Sequence, residues 1–466
     1  MNILMLFLLS ISFMVDLIYG DLDRSNVHVF TIPFVIGIVL YMVQFYLLEG
    51  SMKSLTRRAK YKTAMGSFVY IVVLGALPFL LSGKADPFSA LFESMAGFTT
   101  TGLSSFEPRE LLEVGRGLLF FRVAIQWIGG LFYLVFAFMF LSELSDVGKR
   151  SVDRKLFSGI GLVPKLTKLM QSLMVIYGLF TIAALLAFSI SGMGLFDTVC
   201  LSLSTVSTGG FTSTGRVITE GLGIHIIVIV LMLLAGMGYY VHMSVFSARG
   251  RSKTVFDTEN IAYLLITLTF LVVVFLILVT GGFPVLESIW KGAFSAISAL
   301  TTTGFMVEGS ESWPDSYKFL VLILMLIGGS TLSLASGFKV QRLILLIKGF
   351  LGEVQRASHP SSVISIRRGE GSYSEKALES ANMSFFYIFA LLALTIGFIL
   401  VFRGGLFDVI SLSVTSLTNT GMAFGDFAHA QGISSLNWAV KSLLCMVMFL
   451  GRFEILVPIY MLSPGS

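Results

Sequence analysis

The chain has 466 residues, of which 55% are hydrophobic and only 13% charged, with a mean hydropathy of +0.88. Average soluble domains carry roughly 25% charged residues, so this composition excludes a soluble domain with a single anchor and points to a polytopic helical membrane protein. The net charge of +5 is explained by membrane topology rather than by a nucleic-acid partner. Cys200 and Cys445 both lie in apolar segments, and the five histidines are scattered. Neither set has the spacing of a disulfide framework, a zinc site or a nucleophile constellation, so no enzyme activity is expected.

In chain order, apolar spans are predicted at about 3–19, 28–48, 63–83, 117–141, 169–191, 222–244, 260–281, 317–348, 381–402 and 438–462. The first has no basic leader and no clear small-residue cleavage site, so it reads as a retained helix. The eighth is interrupted from Gly328-Gly329-Ser330-Thr331 to Ser336-Gly337. Four shorter stretches, near 86–106, 195–214, 284–308 and 405–425, fall between spans. Each is too short to cross a bilayer, which takes about 20 apolar residues, and each reads as a re-entrant segment.

Lysine and arginine set the orientation. The loops at 51–62, 142–170, 245–259 and 348–380 hold 19 basic residues, against 8 in the segments on the opposite side. The basic loops are expected in the cytoplasm, which places both termini inside and all four re-entrant segments outside. Span choice rested on hydropathy alone, so the charge asymmetry is an independent check.

The re-entrant segments repeat. They read FESMAGFTTTGL from Phe92, LSLSTVSTGG from Leu201, FSAISALTTTGF from Phe294 and SLSVTSLTNTGM from Ser411. Each ends in small polar residues, then glycine. The spacing leaves room for a span, a cytoplasmic loop and another span between copies. The chain therefore divides into an N-terminal helix pair (1–50) and four repeats of span, short helix, loop and span (51–150, 151–250, 251–360 and 361–466), an all-α fold around one pore. Asp197 and Asp408 stand where a carboxylate would cap the short helix of repeats two and four. The C-terminal end of each short helix would then face the pore with its partial negative charge.

Extended backbone inside a membrane is tolerated only where it lines a polar cavity, and a dehydrated cation can supply its carbonyls with a partner. Glycine permits the positive φ such a strand needs, and threonine adds neutral oxygen. The ring residues on this reading are Thr100, Thr101 and Gly102; Ser207, Thr208 and Gly209; Thr302, Thr303 and Gly304; and Asn419, Thr420 and Gly421. Rings of neutral oxygen suit potassium, whereas a divalent path would be expected to carry carboxylates. A single Ser/Thr-Gly pair is equally a helix-packing motif; four in register on one side argue against that.

With these motifs the chain resembles the Trk/Ktr/HKT superfamily of potassium transporters, TrkH type. The resemblance rests on the four loops, on Gln126-Trp-Ile-Gly-Gly130, on Gly328-Gly329 with Gly337-Phe-Lys-Val340, on Gly451-Arg-Phe-Glu-Ile455, and on the extra N-terminal pair. It implies gated, channel-like potassium uptake across the inner membrane by a homodimer with one pore per subunit. It also implies control by a cytoplasmic nucleotide-binding subunit, so that nucleotide acts only through that partner. Gly102, Gly209, Gly304 and Gly421 become the filter glycines by the same resemblance. In the HKT branch a serine at the first is associated with sodium, so Gly102 favours potassium.

Arg452 is an intramembrane charge and by default functional. The resemblance makes it a barrier in the pore below the filter, while an ion pair with Glu454 is the structural alternative. Gly328, Gly329 and Gly337 mark a break able to gate, or a kink that only aids packing. Leu332, Leu334 and Ala335 depart there from the more glycine-rich family pattern. Lys339 would either fix this loop or snorkel to the interface. Gln126 and Trp127 are expected to pack repeat one, and Lys441 to snorkel. A substrate-coupled transporter built on broken helices would also fit the 328–337 break, but not a fourfold loop.

Overall fold

The computed structural model describes residues 2–21, 26–48, 57–144, 166–213, 217–218, 221–246, 257–359, 367–368, 371–372, 375–402 and 405–453. Two helices, α1 (Asn2–Tyr19) and α2 (Val27–Leu48), precede the first repeat. Repeat one is α3 (Arg57–Leu81), the short α4 (Pro87–Phe98) and α5 (Arg116–Leu144). Repeat two is α6 (Leu166–Ile190), the short α7 (Leu195–Ser207), and then α8 (Leu222–Gly236) and α9 (Tyr239–Phe246). Repeat three is α10 (Thr258–Thr280), α11 (Val285–Leu300), α12 (Asp315–Ile327) and α13 (Val340–Ser358). Repeat four is α14 (Glu375–Leu400), α15 (Leu406–Leu417) and α16 (Trp438–Arg452).

Among the described residues, α1, α2, α3, α5, α6, α10 and α14 are each long and apolar enough to cross a membrane. The bent pair α8–α9 makes an eighth crossing if it is one span. The chain is a multi-pass helical membrane protein. Many of its large exposed side chains are leucine, isoleucine, valine and phenylalanine on these helices, as a lipid-facing surface requires.

Two spans differ from a straight reading of hydropathy. The run at 222–244 bends by 99° between α8 and α9, and the run at 317–348 is two helices separated by Gly328–Lys339. The two interruptions lie together and satisfy each other. Ser330 N donates to Gly236 O (3.0 Å), Leu334 N to Ala235 O (3.4 Å), and Tyr239 N to Leu332 O (3.0 Å). Backbone freed from a helix at membrane depth needs such partners. The tenth predicted span, 438–462, is described only to Phe453.

The short helices start by different devices. Asp86 caps α4, its Oδ1 accepting from Phe88 N (3.0 Å) and Ser89 N (3.2 Å), with Pro87 in the first turn. Burial alone would raise this carboxyl, but the Ser89 hydroxyl and backbone, nearby Lys441 and the Phe88 N–H hold it below the usual carboxylate range. Asp197 and Asp408 do not cap: the caps are Gly194 and Gly405, and the aspartates fall in the first turn. From there they reach the chain leaving the loop, Asp197 accepting from Ser213 Oγ (2.5 Å) and Asp408 from Asp426 N (3.4 Å).

The N-terminal pair is latched to repeat one. Asp16 on α1 accepts from Gly117 N (2.5 Å), and Asp21 pairs with Arg116 (3.1 Å). Beyond the ring loops, Val217–Ile218 of repeat two pairs in parallel with Met306–Val307 of repeat three.

Candidate functional site

Each short helix ends in the same turn. A residue with left-handed φ follows it at Thr100 (55°), Thr208 (54°), Thr302 (50°) and Asn419 (50°). Two residues later comes a glycine with φ of 74°, 79°, 84° or 81°, at Gly102, Gly210, Gly304 and Gly421. The residue between them donates its N–H five residues back into the helix: Thr101 to Ala96 (2.8 Å), Gly209 to Ser204 (2.9 Å), Thr303 to Ser298 (2.9 Å) and Thr420 to Thr415 (3.1 Å). This is the long bond of a helix-terminating Schellman turn. Three threonines at positive φ are strained by about 1–3 kcal/mol each, a cost concentrated at functional positions.

The geometry corrects the register of repeat two by one residue. Gly210, not Gly209, is the counterpart of Gly102, Gly304 and Gly421. Gly209 matches Thr101, and Ser207 is the last residue of α7, matching Thr99. The doublet Gly209-Gly210 offers two alignments to a sequence motif, and only backbone conformation separates them.

The four loops close into a ring. A Cβ built on Gly102 would run into Gly209 O, one on Gly210 into Thr303 O, one on Gly304 into Thr420 O, and one on Gly421 into Thr101 O. Each loop touches the next and the fourth touches the first. The four glycines are therefore required twice, for positive φ and for the approach of the neighbouring carbonyl. Asn419 adds a bond across the closing junction, its Nδ2 donating to Thr101 Oγ1 (2.9 Å) and to Met448 O (2.9 Å).

The segment Gly328–Lys339 lies against this ring. Thr208 Oγ1 donates to Leu334 O (3.3 Å), and Ser336 N donates to Thr302 Oγ1 (2.8 Å). Four of its residues have left-handed φ: Gly328, Leu332, Gly337 and Lys339. Gly328 and Gly337 lie back to back, leaving no room for a Cβ on either, and a Cβ on Gly329 would strike the Ala335 methyl and Gly236 O.

Arg452, 1% exposed, holds the segment's far end. Its Nη1 donates to Leu334 O (2.9 Å) and Ser336 Oγ (3.0 Å), and its guanidinium sits 4.0 Å from the Tyr133 ring centroid. No carboxylate pairs with it among the described residues; Glu454 lies outside them. Lys339 is buried, donates to Ala335 O and sits 5.8 Å from the same Tyr133 ring. Its ammonium is thus spent on the segment's own backbone.

The family model described as TrkH, cation transport protein, matches residues 26–463. The chain belongs to the TrkH family. The potassium uptake protein TrkH of Halomonas elongata is 30% identical over 84% of this chain and 82% of its own length. TrkH of Escherichia coli strain K12 is also 30% identical, over 97% and 94%. The crystal structure of the potassium transporter TrkH from Vibrio parahaemolyticus matches with a TM-score of 0.88 at 26% identity, covering 99% of this chain and 97% of that one. The TrkH family consists of transporters, not enzymes.

In this TrkH-family chain several buried polar and charged side chains beside the ring are passed over by hydropathy alone. Glu93 on α4 and Arg122 on α5 form a buried ion pair at 2.7 Å. Glu93 also accepts from Ser104 Oγ (2.9 Å) and Ser105 N (3.2 Å), just past Gly102. Arg122 lies 3.7 Å from the centroid of the Phe211 ring, just past Gly210. Both are lone charges in apolar surroundings, the same signal that picks out Arg452. Glu259, at the start of α10, accepts from Thr331 N (2.5 Å). Lys441 does not snorkel: it is buried and donates to Ser89 Oγ (2.7 Å) and Ser434 O (2.9 Å), joining α16 to α4. Gln126 reaches the second ring loop, a contact that no spacing rule reveals.

Proposed function

We propose that this chain takes up potassium across the inner membrane through a gated, channel-like pore whose selective element is the ring of four loops. The observation that carries this reading is the closed ring. Four loops share one turn, spend the N–H of the residue before the ring glycine on the preceding helix and supply uncharged oxygen. Neutral oxygen rings match a weakly hydrated monovalent cation. The printed names of the relatives, potassium uptake proteins, support the same cargo.

On this reading the ring residues are Thr100-Thr101-Gly102, Thr208-Gly209-Gly210, Thr302-Thr303-Gly304 and Asn419-Thr420-Gly421. The basic loops face the cytoplasm, the ring faces outward, and both termini lie inside. Gly328–Lys339 sits below the ring as the gate, with Arg452 and Lys339 placing positive charge beside the ion path. The chain works as a homodimer controlled by a cytoplasmic nucleotide-binding subunit, which would act on this gate.

Rubidium uptake in cells lacking other potassium systems tests the reading. Wild type restores uptake, and Gly421→Ala abolishes it, because the added Cβ meets Thr101 O at a positive φ. Gly397→Ala, at a helical position with open space around it, retains uptake. No uptake by the wild type, or full uptake by Gly421→Ala at equal membrane abundance, refutes the proposal.

A further inference from the structure

The hydroxyl pair behind the ring glycine is present in three loops and missing from one. In loops one, three and four the residue before the ring glycine is Thr101, Thr303 or Thr420. Its hydroxyl pairs with that of the threonine two residues earlier, Thr99, Thr301 or Thr418, at 2.7, 2.8 and 2.9 Å. Loop two has Gly209 in this position, with no side chain to make the pair. The Ser207 hydroxyl, in the place of Thr99, keeps the bond four residues back, to Leu203 O (2.8 Å), that Thr99, Thr301 and Thr418 also make, and has no second hydroxyl to meet.

The vacated volume is filled from another repeat. A Cβ built on Gly209 would strike Gln126 Oε1 and lie 3.0 Å from Gln126 Cβ. Gln126, on α5 and fully buried, donates from Nε2 to Gly209 O (2.5 Å). Its Oε1 accepts from Ser204 Oγ (3.4 Å) and Phe211 N (3.4 Å). One carboxamide therefore ties down both sides of the loop and the end of the helix before it. Gly209 O is also the atom that lies against Gly102, so Gln126 holds the junction between loops one and two.

We propose that Gln126 is a positioning residue that stands in for the missing threonine side chain of loop two and helps set the ring's preference among monovalent cations. The proposal rests on the reading of the ring as an ion filter. It predicts reciprocal compensation, because the two side chains compete for one volume.

The test compares wild type, Gln126→Ala, Gly209→Thr and the double variant in cells lacking other potassium systems. It measures potassium and sodium uptake at matched membrane abundance, and the thermal unfolding of each purified protein. Gln126→Ala is expected to lower the preference for potassium over sodium roughly threefold to tenfold, the range one net hydrogen bond supports, with folded protein retained. Gly209→Thr alone loses uptake and thermal stability, and the double variant regains both. An unchanged preference in Gln126→Ala overturns the proposal, as does a double variant no better than Gly209→Thr. If Gly209→Thr does not fold, the Gln126→Ala preference decides alone. A wild-type chain that moves no potassium overturns the filter reading itself, and with it this one.

Discussion

A guanidinium buried as fully as that of Arg452 has to replace its hydration with protein partners. Nη1 does so with the Leu334 carbonyl and the Ser336 hydroxyl, and the guanidinium face lies against Tyr133, all neutral, while Nε and Nη2 make no hydrogen bond among the described residues. On the proposed reading the positive charge is thus retained beside the ion path, and the same side chain serves as a pin. Hydrogen bonds from a charged donor contribute about 1.5–3 kcal/mol each. Arg452→Ala is therefore expected to raise rubidium uptake about tenfold or more in cells lacking the regulatory subunit. Arg452→Lys should fall between the two, since an ammonium keeps the positive charge but lacks the flat guanidinium face laid against Tyr133. Unchanged flux and affinity in the alanine variant would sink the idea.

The short helices keep their aim through bonds to chain that has already left the ring. Glu93 does this in repeat one, Asp197 in repeat two and Asp408 in repeat four. Glu93 alone is fully buried, and its charge is balanced by Arg122. Removing one partner of a buried pair costs about 3–5 kcal/mol, while replacing both with apolar groups is often close to neutral. Glu93→Gln should lower the thermal unfolding temperature markedly in detergent, and Glu93→Gln with Arg122→Met should recover most of the loss. A double variant as unstable as the single one would show that the pair contributes more than mutual neutralisation.

Elements of this kind were legible where their signal is local. Apolar runs gave the spans, and the Gly328 to Gly337 run marked its break. Four Thr/Ser-Gly endings gave the loops. The 99° bend between α8 and α9 was not legible, because hydropathy runs on through Gly236-Met237-Gly238 and the bend is held by hydrogen bonds to the distant Gly328–Lys339 segment. The register of loop two was hidden for the same reason: the residue that fills the space beside Gly209 lies on α5.

At the scale of the whole molecule, Gly328–Lys339 is where three repeats' contacts meet the broken span of repeat three. It bonds to Thr208, Gly236 and Tyr239 of repeat two, Glu259 and Thr302 of repeat three, and Arg452 of repeat four, while Lys339 faces Tyr133 of repeat one. A segment held at so many points moves as a unit or not at all, the behaviour expected of a bistable element. Glu259 is the one of these contacts closest in sequence to a basic loop, the side on which the proposed regulatory subunit would act, since α10 begins just after residues 247–256. Glu259→Ala should therefore raise basal rubidium uptake as Arg452→Ala does, but by less, because it frees the bond to Thr331 N and leaves both Arg452 bonds in place. The double variant distinguishes a unit from independent clasps. If both residues restrain one closed state, uptake in the double variant rises little beyond the Arg452→Ala level, since a segment already released has nothing further to lose. If the residues act separately, the two effects multiply, as for distant sites without shared partners. Multiplying effects at equal membrane abundance would show that the Glu259 end and the Arg452 end open independently.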